Sequence, residues 1–270
     1  LIKIKNRLIV LLTDFGQKDT FVGVLKGVIA KINPESKVID LSHSVEPQNI
    51  QHGAFLLSTS CSYFPRGTIF CVIVDPGVGS DRKVICIETQ DYFFVGPDNG
   101  VLWEASSHNQ IKRIFELTNQ DYFLDFISTT FHGRDIFAPV AAHLSKGKIA
   151  LSAFGRPLEK CVEFYFPEIE RRPFSLGLTV LHIDRFGNVT LNLDENEFNL
   201  LVKDKKICLT INDFRIQNVC KSYSQAKDEE LFLIWSSSSH MEISLKNSNA
   251  AEKLKVNLMD KALLEIIEQA

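Results

Sequence analysis

Short apolar runs alternate with amphipathic stretches through the first half of the chain. Residues 8–13, 37–41 and 68–74 are near-continuous aliphatic runs, the pattern of strands buried on both faces. Between them, 20–32 and 49–63 carry apolar residues at helical spacing. Strands separated by helices predict crossover units and a largely parallel sheet. Two more runs, 84–88 and 92–95, lie at hairpin distance, so the sheet is expected to be mixed. A helix fits 133–146, with Pro139 tolerated only near its first turns.

The pattern then changes. Gly155, Pro157, Pro167 and Pro173 stand among charges in 154–173, a linker composition. This divides the chain into an α/β domain over 1–160, a linker over 161–174 and a second domain over 175–270. The second domain reads as strands at 176–183, 189–193, 206–211, 215–219, 230–235, 241–245 and 262–267, with short helices at 194–202 and 250–254. Many short strands at regular spacing predict a small β-barrel or sandwich.

Composition narrows the class. Of 270 residues, 45% are hydrophobic and 23% charged, ordinary for a soluble globular protein. A net charge of −3 supplies no basic surplus for phosphates and argues against a nucleic-acid partner. The apolar run at 8–12 is too short to span a bilayer, and lacks the length and cleavage site of a signal peptide. The six cysteines form no C-x-x-C pair and fall largely in strand-like runs, as reduced core residues do. No membrane partner and a cytoplasmic location are expected.

The candidate chemistry stands at strand ends, where ligands bind in open α/β sheets. "LLTDFGQKDT" places Asp14 at the end of the first strand and Asp19 soon after. A carboxylate there can grip a vicinal diol, while Asp19 or Thr20 equally suits the cap of the next helix. "VIVDPGVGSDRKV" ends a buried strand on Asp75 and reaches Arg82 through two glycines. It matches no phosphate-loop pattern. By itself it reads as a turn with a surface Asp81–Arg82 pair, and otherwise as half of a catalytic site. "TTFHGRDIF" sets His132 before a glycine and a helix, and His titrates near neutral pH. "LHIDRFGNVTLN" holds Asp184, Phe186 and Asn188 in what could be a plain hairpin turn. These residues alone support a hydrolase or transferase acting on a polar, ribose-like ligand.

Taken in order, "TDFG…D", "VDPGVGSDR", "GPDNG", "FHGRD" and "IDRFGN" resemble the S-adenosyl-L-methionine (SAM) hydroxide adenosyltransferase family, related to fluorinase and chlorinase. The resemblance runs from about residue 8 to the C-terminus. It implies an α/β domain joined to a small β-barrel, a homotrimer with active sites at subunit interfaces, and metal-independent attack of water at C5′ of SAM to give adenosine and methionine. SAM is then the substrate, with no cofactor and no metal site. The family's catalytic Asp–Arg–His set falls on Asp75, Arg82 and His132. The ribose aspartate falls on Asp14, with Asp19 close by, and the aromatic before the histidine on Phe131. In the second domain the ammonium-binding acid falls on Asp184, and the adenine side on Phe186, Asn188 and Ala250. Ser239 is the serine expected at the methionine carboxylate, though "WSSSSH" offers four, and Glu242 joins the substrate-binding set.

The chain also departs from its relatives. Halogenating members need a small polar donor where this chain has Gly133, and lack the acid and histidine of positions 75 and 132. Gln48 replaces a large aromatic of the fluorinase, and His240 stands where a glycine is common. Three alternatives follow: a SAM-dependent halogenase, a metal-dependent nucleoside hydrolase using Asp14 and Asp19, and a non-catalytic SAM or adenosine binder.

Overall fold

In a computed structural model describing residues 6–202 and 205–267, the chain forms two compact units that divide between Phe164 and Tyr165. The first is built on seven strands: β1 (Ile9–Thr13), β2 (Val38–Ser42), β3 (Ile69–Ile73), β4 (Val84–Thr89), β5 (Phe93–Pro97), β6 (Ile111–Leu117) and β7 (Gly155–Leu158). They lie in the order β2-β1-β3-β5-β4-β6-β7. The first four in that order are parallel, and the hairpin β4–β5 turns the rest antiparallel, so the sheet is mixed as expected.

Every residue of β1 and β3 is buried because helices cover both faces. Ile9 and Leu11 pack into one layer, beside residues of α1 (Phe21–Ile32) and α4 (Ala138–Ser145). Val10 and Leu12 face the opposite layer, with residues of α2 (Ile50–Ser60) and α3 (Trp103–Ser107). The alternation is that of a strand whose successive side chains point to opposite faces. The Asn49 side chain caps α2 by accepting from the His52 N–H. Thr20 stands at the N-terminus of α1, but neither it nor Asp19 caps the helix through a side chain. The helix expected over 133–146 begins as a π-helical turn, Gly133–Phe137, and only then becomes α4, with Pro139 in its first turn.

The second unit contains β8 (Glu170–Arg172), β9 (Ser175–Ile183), β10 (Val189–Asp194), β11 (Lys206–Ile211), β12 (Phe214–Ile216), β13 (Leu231–Trp235), β14 (His240–Leu245) and β15 (Lys261–Ile267). All pair antiparallel, in the order β12-β11-β15-β9-β10-β14-β13, with β8 added to β9. A bridge from Val219 to Leu233 brings the ends of this order together, giving a nearly closed barrel around Leu178, Leu191, Leu209, Leu233 and Ile243. Short helices α5 (Glu195–Leu201) and α6 (Ala250–Leu254) decorate it. Two stretches of the expected linker composition are strands, β7 on the first sheet and β8 on the second. Among the described residues, no helix is long and apolar enough to cross a membrane.

Candidate active site

The first site follows from sheet order. β1 and β3 are parallel neighbours in register, Thr13 opposite Ile73, so the chain leaves both strands at the same edge. Asp14 and Asp75 therefore emerge side by side beyond the carboxyl ends, the position at which open α/β sheets bind ligands. A cavity of about 340 Å³ opens there, lined by Asp14, Gln48, Asp75, Phe131, His132 and Gly133 among others. Asp14 Oδ2 accepts the Gln48 N–H at 2.8 Å, from a residue with φ +65°. Oδ1 and the remaining lone pairs are left for a ligand. The loop behind Asp14 is anchored by Thr13 Oγ1, 2.9 Å from His43 Nδ1, and by the Gly16 N–H on the His43 carbonyl.

Arg82 returns to Asp75, not to Asp81. Its Nε donates to Asp75 Oδ1 at 2.9 Å, and one Nη to Oδ2 of the same carboxylate. That Nη also donates to His132 Nδ1 at 2.7 Å. The surface Asp81–Arg82 pair is thereby corrected: Asp81 is exposed, while the Asp75 and Arg82 side chains are only 6% and 10% exposed. Glycine at 79 makes the loop possible. It sits at φ +78°, and a Cβ there would come 2.3 Å from the Thr129 carbonyl oxygen. The loop carrying Arg82 is thus pressed onto the segment that leads to His132.

Arginine can only donate, so His132 Nδ1 must be a lone pair and the proton of the neutral ring sits on Nε2. The electrostatics agree. Burial, then the Arg82 charge, push the His132 pKa below its ordinary value, against weaker opposition from Asp75 and Asp135. Phe131 closes the wall and meets Phe15 and Phe21 in edge contacts with centroids 5.7 and 5.3 Å away. Gly133 is crowded: a Cβ there would lie 3.3 Å from both Ile73 and Phe131. Asp19 is exposed and outside the lining of the cavity.

In the second unit, Asp184, Phe186 and Asn188 do come together, lining a pocket of about 620 Å³ with Tyr223 and Lys246. Asp184 builds its own turn. Oδ1 accepts the N–H groups of Phe186 and Asn188 at 2.8 and 2.9 Å, and Oδ2 the Asn188 side-chain amide at 2.9 Å. Gly187, at φ +83°, lets Asn249 pack where a Cβ would stand, and its carbonyl accepts the Ala251 N–H. Ala250, fully buried, opens α6 beside this turn. Phe186 is 76% exposed.

Two expected members stand apart from that cluster. Glu242 is buried in β14, where Oε1 accepts the Tyr223 hydroxyl at 2.6 Å and the Ser244 hydroxyl at 2.7 Å. Burial and the Glu242 bond push the Tyr223 pKa up to about 12. Ser239 lies in the β13–β14 turn, where its carbonyl accepts the Glu195 N–H, at the other end of β14 from the pocket. It has φ +60°, so the position suited to glycine in this turn is Ser239, not His240. Ser236 and Ser238 form the polar interior of the turn instead, their hydroxyls 2.9 Å apart.

Each unit also holds residues that motif reading passed over. Phe15 and Phe21 complete the aromatic wall, Tyr223 lines the second pocket, and Asp135 fixes the segment before His132. Asp135 was visible as the last letter of "FHGRD", but a carboxylate after an arginine reads as a surface pair. Among the described residues, no three His, Cys, Asp or Glu side chains gather as metal ligands.

Comparison with known proteins agrees with both halves of this description. Residues 9–155 match the model of the SAM hydroxide adenosyltransferase N-terminal domain, and residues 178–262 that of its C-terminal domain. The chain is 36% identical to the (R)-S-adenosyl-L-methionine hydrolase of Methanocaldococcus jannaschii, over 96% of this chain and 95% of that one. It is 41% identical to the enzyme of the same name from Salinispora tropica, over 66% of this chain and 69% of that one. A fluorinase from Actinopolyspora mzabensis is more distant, at 26% over 67% of this chain and 70% of its own. The crystal structure of an uncharacterized conserved protein from Thermotoga maritima superposes with TM-score 0.88 at 35% identity, covering 95% of this chain and 99% of that one. With both domains matched in order, the chain belongs to the SAM hydroxide adenosyltransferase family.

Proposed function

We propose that this protein hydrolyses SAM to adenosine and L-methionine, acting on the R sulfonium epimer named for its relatives. The observation that carries the reading is that Asp75 and His132, joined to each other through Arg82, line one cavity with Asp14. Attack at C5′ expels a cationic sulfonium as a neutral thioether, so the leaving group needs no acid. The nucleophile is the obstacle, because water has a pKa near 15.7. It must be held in line with C5′ and lose a proton as it attacks. Positioning contributes roughly 7–11 kcal/mol and a placed base about 10²–10⁴-fold.

In this arrangement the three groups differ in what they can offer a water. Arg82 fills His132 Nδ1, and Nε2 carries a proton, so His132 donates to the water oxygen. Asp75 keeps lone pairs beyond those used by Arg82, so it accepts the water's proton. The Arg82 charge, held behind Asp75 and His132, favours the developing hydroxide. Asp14 takes the ribose hydroxyls and aims C5′ at that water, with Phe15, Phe21 and Phe131 around the sugar. Asp184, Phe186, Asn188 and Ala250 bind the adenine and amino-acid ends; for Asp184 this adds to its role in the turn. We extend the proposal to a cytoplasmic homotrimer with active sites at subunit interfaces, an assembly that would cover the exposed Phe186 ring.

A halogenase reading is disfavoured at Gly133, which has no side-chain donor and, with Ile73 and Phe131 so close, little room for one. The test is to incubate the purified protein with each SAM epimer, with and without chelator and halide. The proposal requires adenosine and methionine from the R epimer under all four conditions. Halogenated nucleoside, free adenine or bound but unchanged SAM would overturn it.

A further inference from the structure

Asp135 is used by none of the steps above, yet it is fully buried, where a carboxylate without partners is costly. Oδ2 accepts the Ser128 N–H at 2.8 Å, and its backbone carbonyl accepts the Leu124 N–H at 2.9 Å. Both ends of the 124–128 segment are thereby tied to one residue. Ser128 passes the restraint on: its Oγ lies 3.1 Å from the Thr130 hydroxyl and accepts the Thr130 N–H at 3.2 Å. The carboxylate is completed by Arg134, with Nε 2.6 Å from Oδ1 and an Nη 3.0 Å from Oδ2. That guanidinium lies over the Phe131 ring, 5.2 Å from its centroid.

The strap 128–131 is therefore held from two sides. Asp135 grips it from the π-helical turn, a backbone form that recurs at functional sites. From the other side, Gly79 brings the Arg82 loop against the Thr129 carbonyl. The strap contributes Thr130 and Phe131 to the cavity wall and runs directly into His132. We propose that Asp135 is a positioning residue, holding this strap against the 77–80 loop so that His132 Nδ1 stays within hydrogen-bond reach of Arg82.

The kinetic part of this inference rests on the hydrolase reading; the His132 part does not. In Asp135→Ala, kcat should fall about 10- to 100-fold, the cost of a small misplacement, while KM changes little. Asp135→Asn keeps an oxygen for the Ser128 N–H and should recover most of that loss. Gly79→Ala displaces the strap from the opposite side without changing any charge, at an exposed position. It should lower kcat in the same way. It should also raise the His132 titration midpoint seen by NMR, because Arg82 retreats while Asp75 and Asp135 remain. Should Asp135→Ala not fold, Gly79→Ala decides alone. A folded Gly79→Ala with wild-type kcat and unchanged His132 titration overturns the proposal, as does a folded Asp135→Asn no better than alanine. If the wild-type protein does not turn over SAM at all, the proposed function fails and the NMR result still tests the strap.

Discussion

Arg82 commits three of its five N–H groups to two partners, Asp75 and His132, and so fixes the geometry of both. Lysine cannot reproduce that planar fork. Arg82→Lys and Arg82→Ala should both lose turnover by about 10²-fold or more, measured as adenosine release. His132→Ala should do the same. The pH dependence follows from the tautomer. Protonating His132 removes the Nδ1 lone pair that Arg82 needs, so activity falls on the acid side. Burial and Arg82 hold this pKa low, so the acid limb should have its midpoint below the ordinary value of about 6.5. In a residually active Arg82→Met enzyme, the limb should move up. A limb that ignores Arg82 would remove His132 from the assigned role. Asp14→Ala, by contrast, should raise KM as well as lower kcat, since the proposal has Asp14 grip the ribose throughout.

At the scale of elements, turns and edge strands determine where these groups stand. The Asp184 carboxylate ties together its own turn through three hydrogen bonds. At roughly 1 kcal/mol each, Asp184→Ala should cost about 1–3 kcal/mol in urea unfolding and also weaken SAM binding. Loss of binding without loss of stability would separate the two roles. Strand alternation, helix periods and the positions of Asp14, Asp75 and His132 were legible in the sequence because each follows from local pattern. What was not legible depended on contacts between distant segments. The partner of Arg82 could not be chosen between Asp75 and Asp81 without the left-handed Gly79 and its approach to Thr129. β7 reads as linker because Gly155 and Pro157 fit an edge strand as well as a loop. α3 is only five residues long, and β6 is interrupted by exposed Lys112 and Arg113. The serine turn also hid its conformation: Ser239 holds a φ that points to glycine.

Over the whole molecule, several titrating groups act in the same direction. His52, His132 and His143 all have pKa values lowered chiefly by burial. The unfolded chain then binds more protons than the folded one at mildly acid pH, so this contribution is complete above about pH 6.5 and is lost as pH falls toward the folded pKa values. The thermal midpoint should therefore drop between neutral pH and about 5, and a flat profile would contradict the burial of these rings. All six cysteines are buried, and burial raises the Cys71 thiol to about 12, so they should resist alkylation until the protein unfolds. The proposed function rests on one event, the arrival of a water at C5′ beside Asp75 and His132. The most direct test is turnover of (R)-SAM in oxygen-18 water, followed by mass analysis of the nucleoside. The account predicts adenosine carrying the heavy oxygen at its 5′ position; adenosine without the label, or release of adenine in its place, would contradict it.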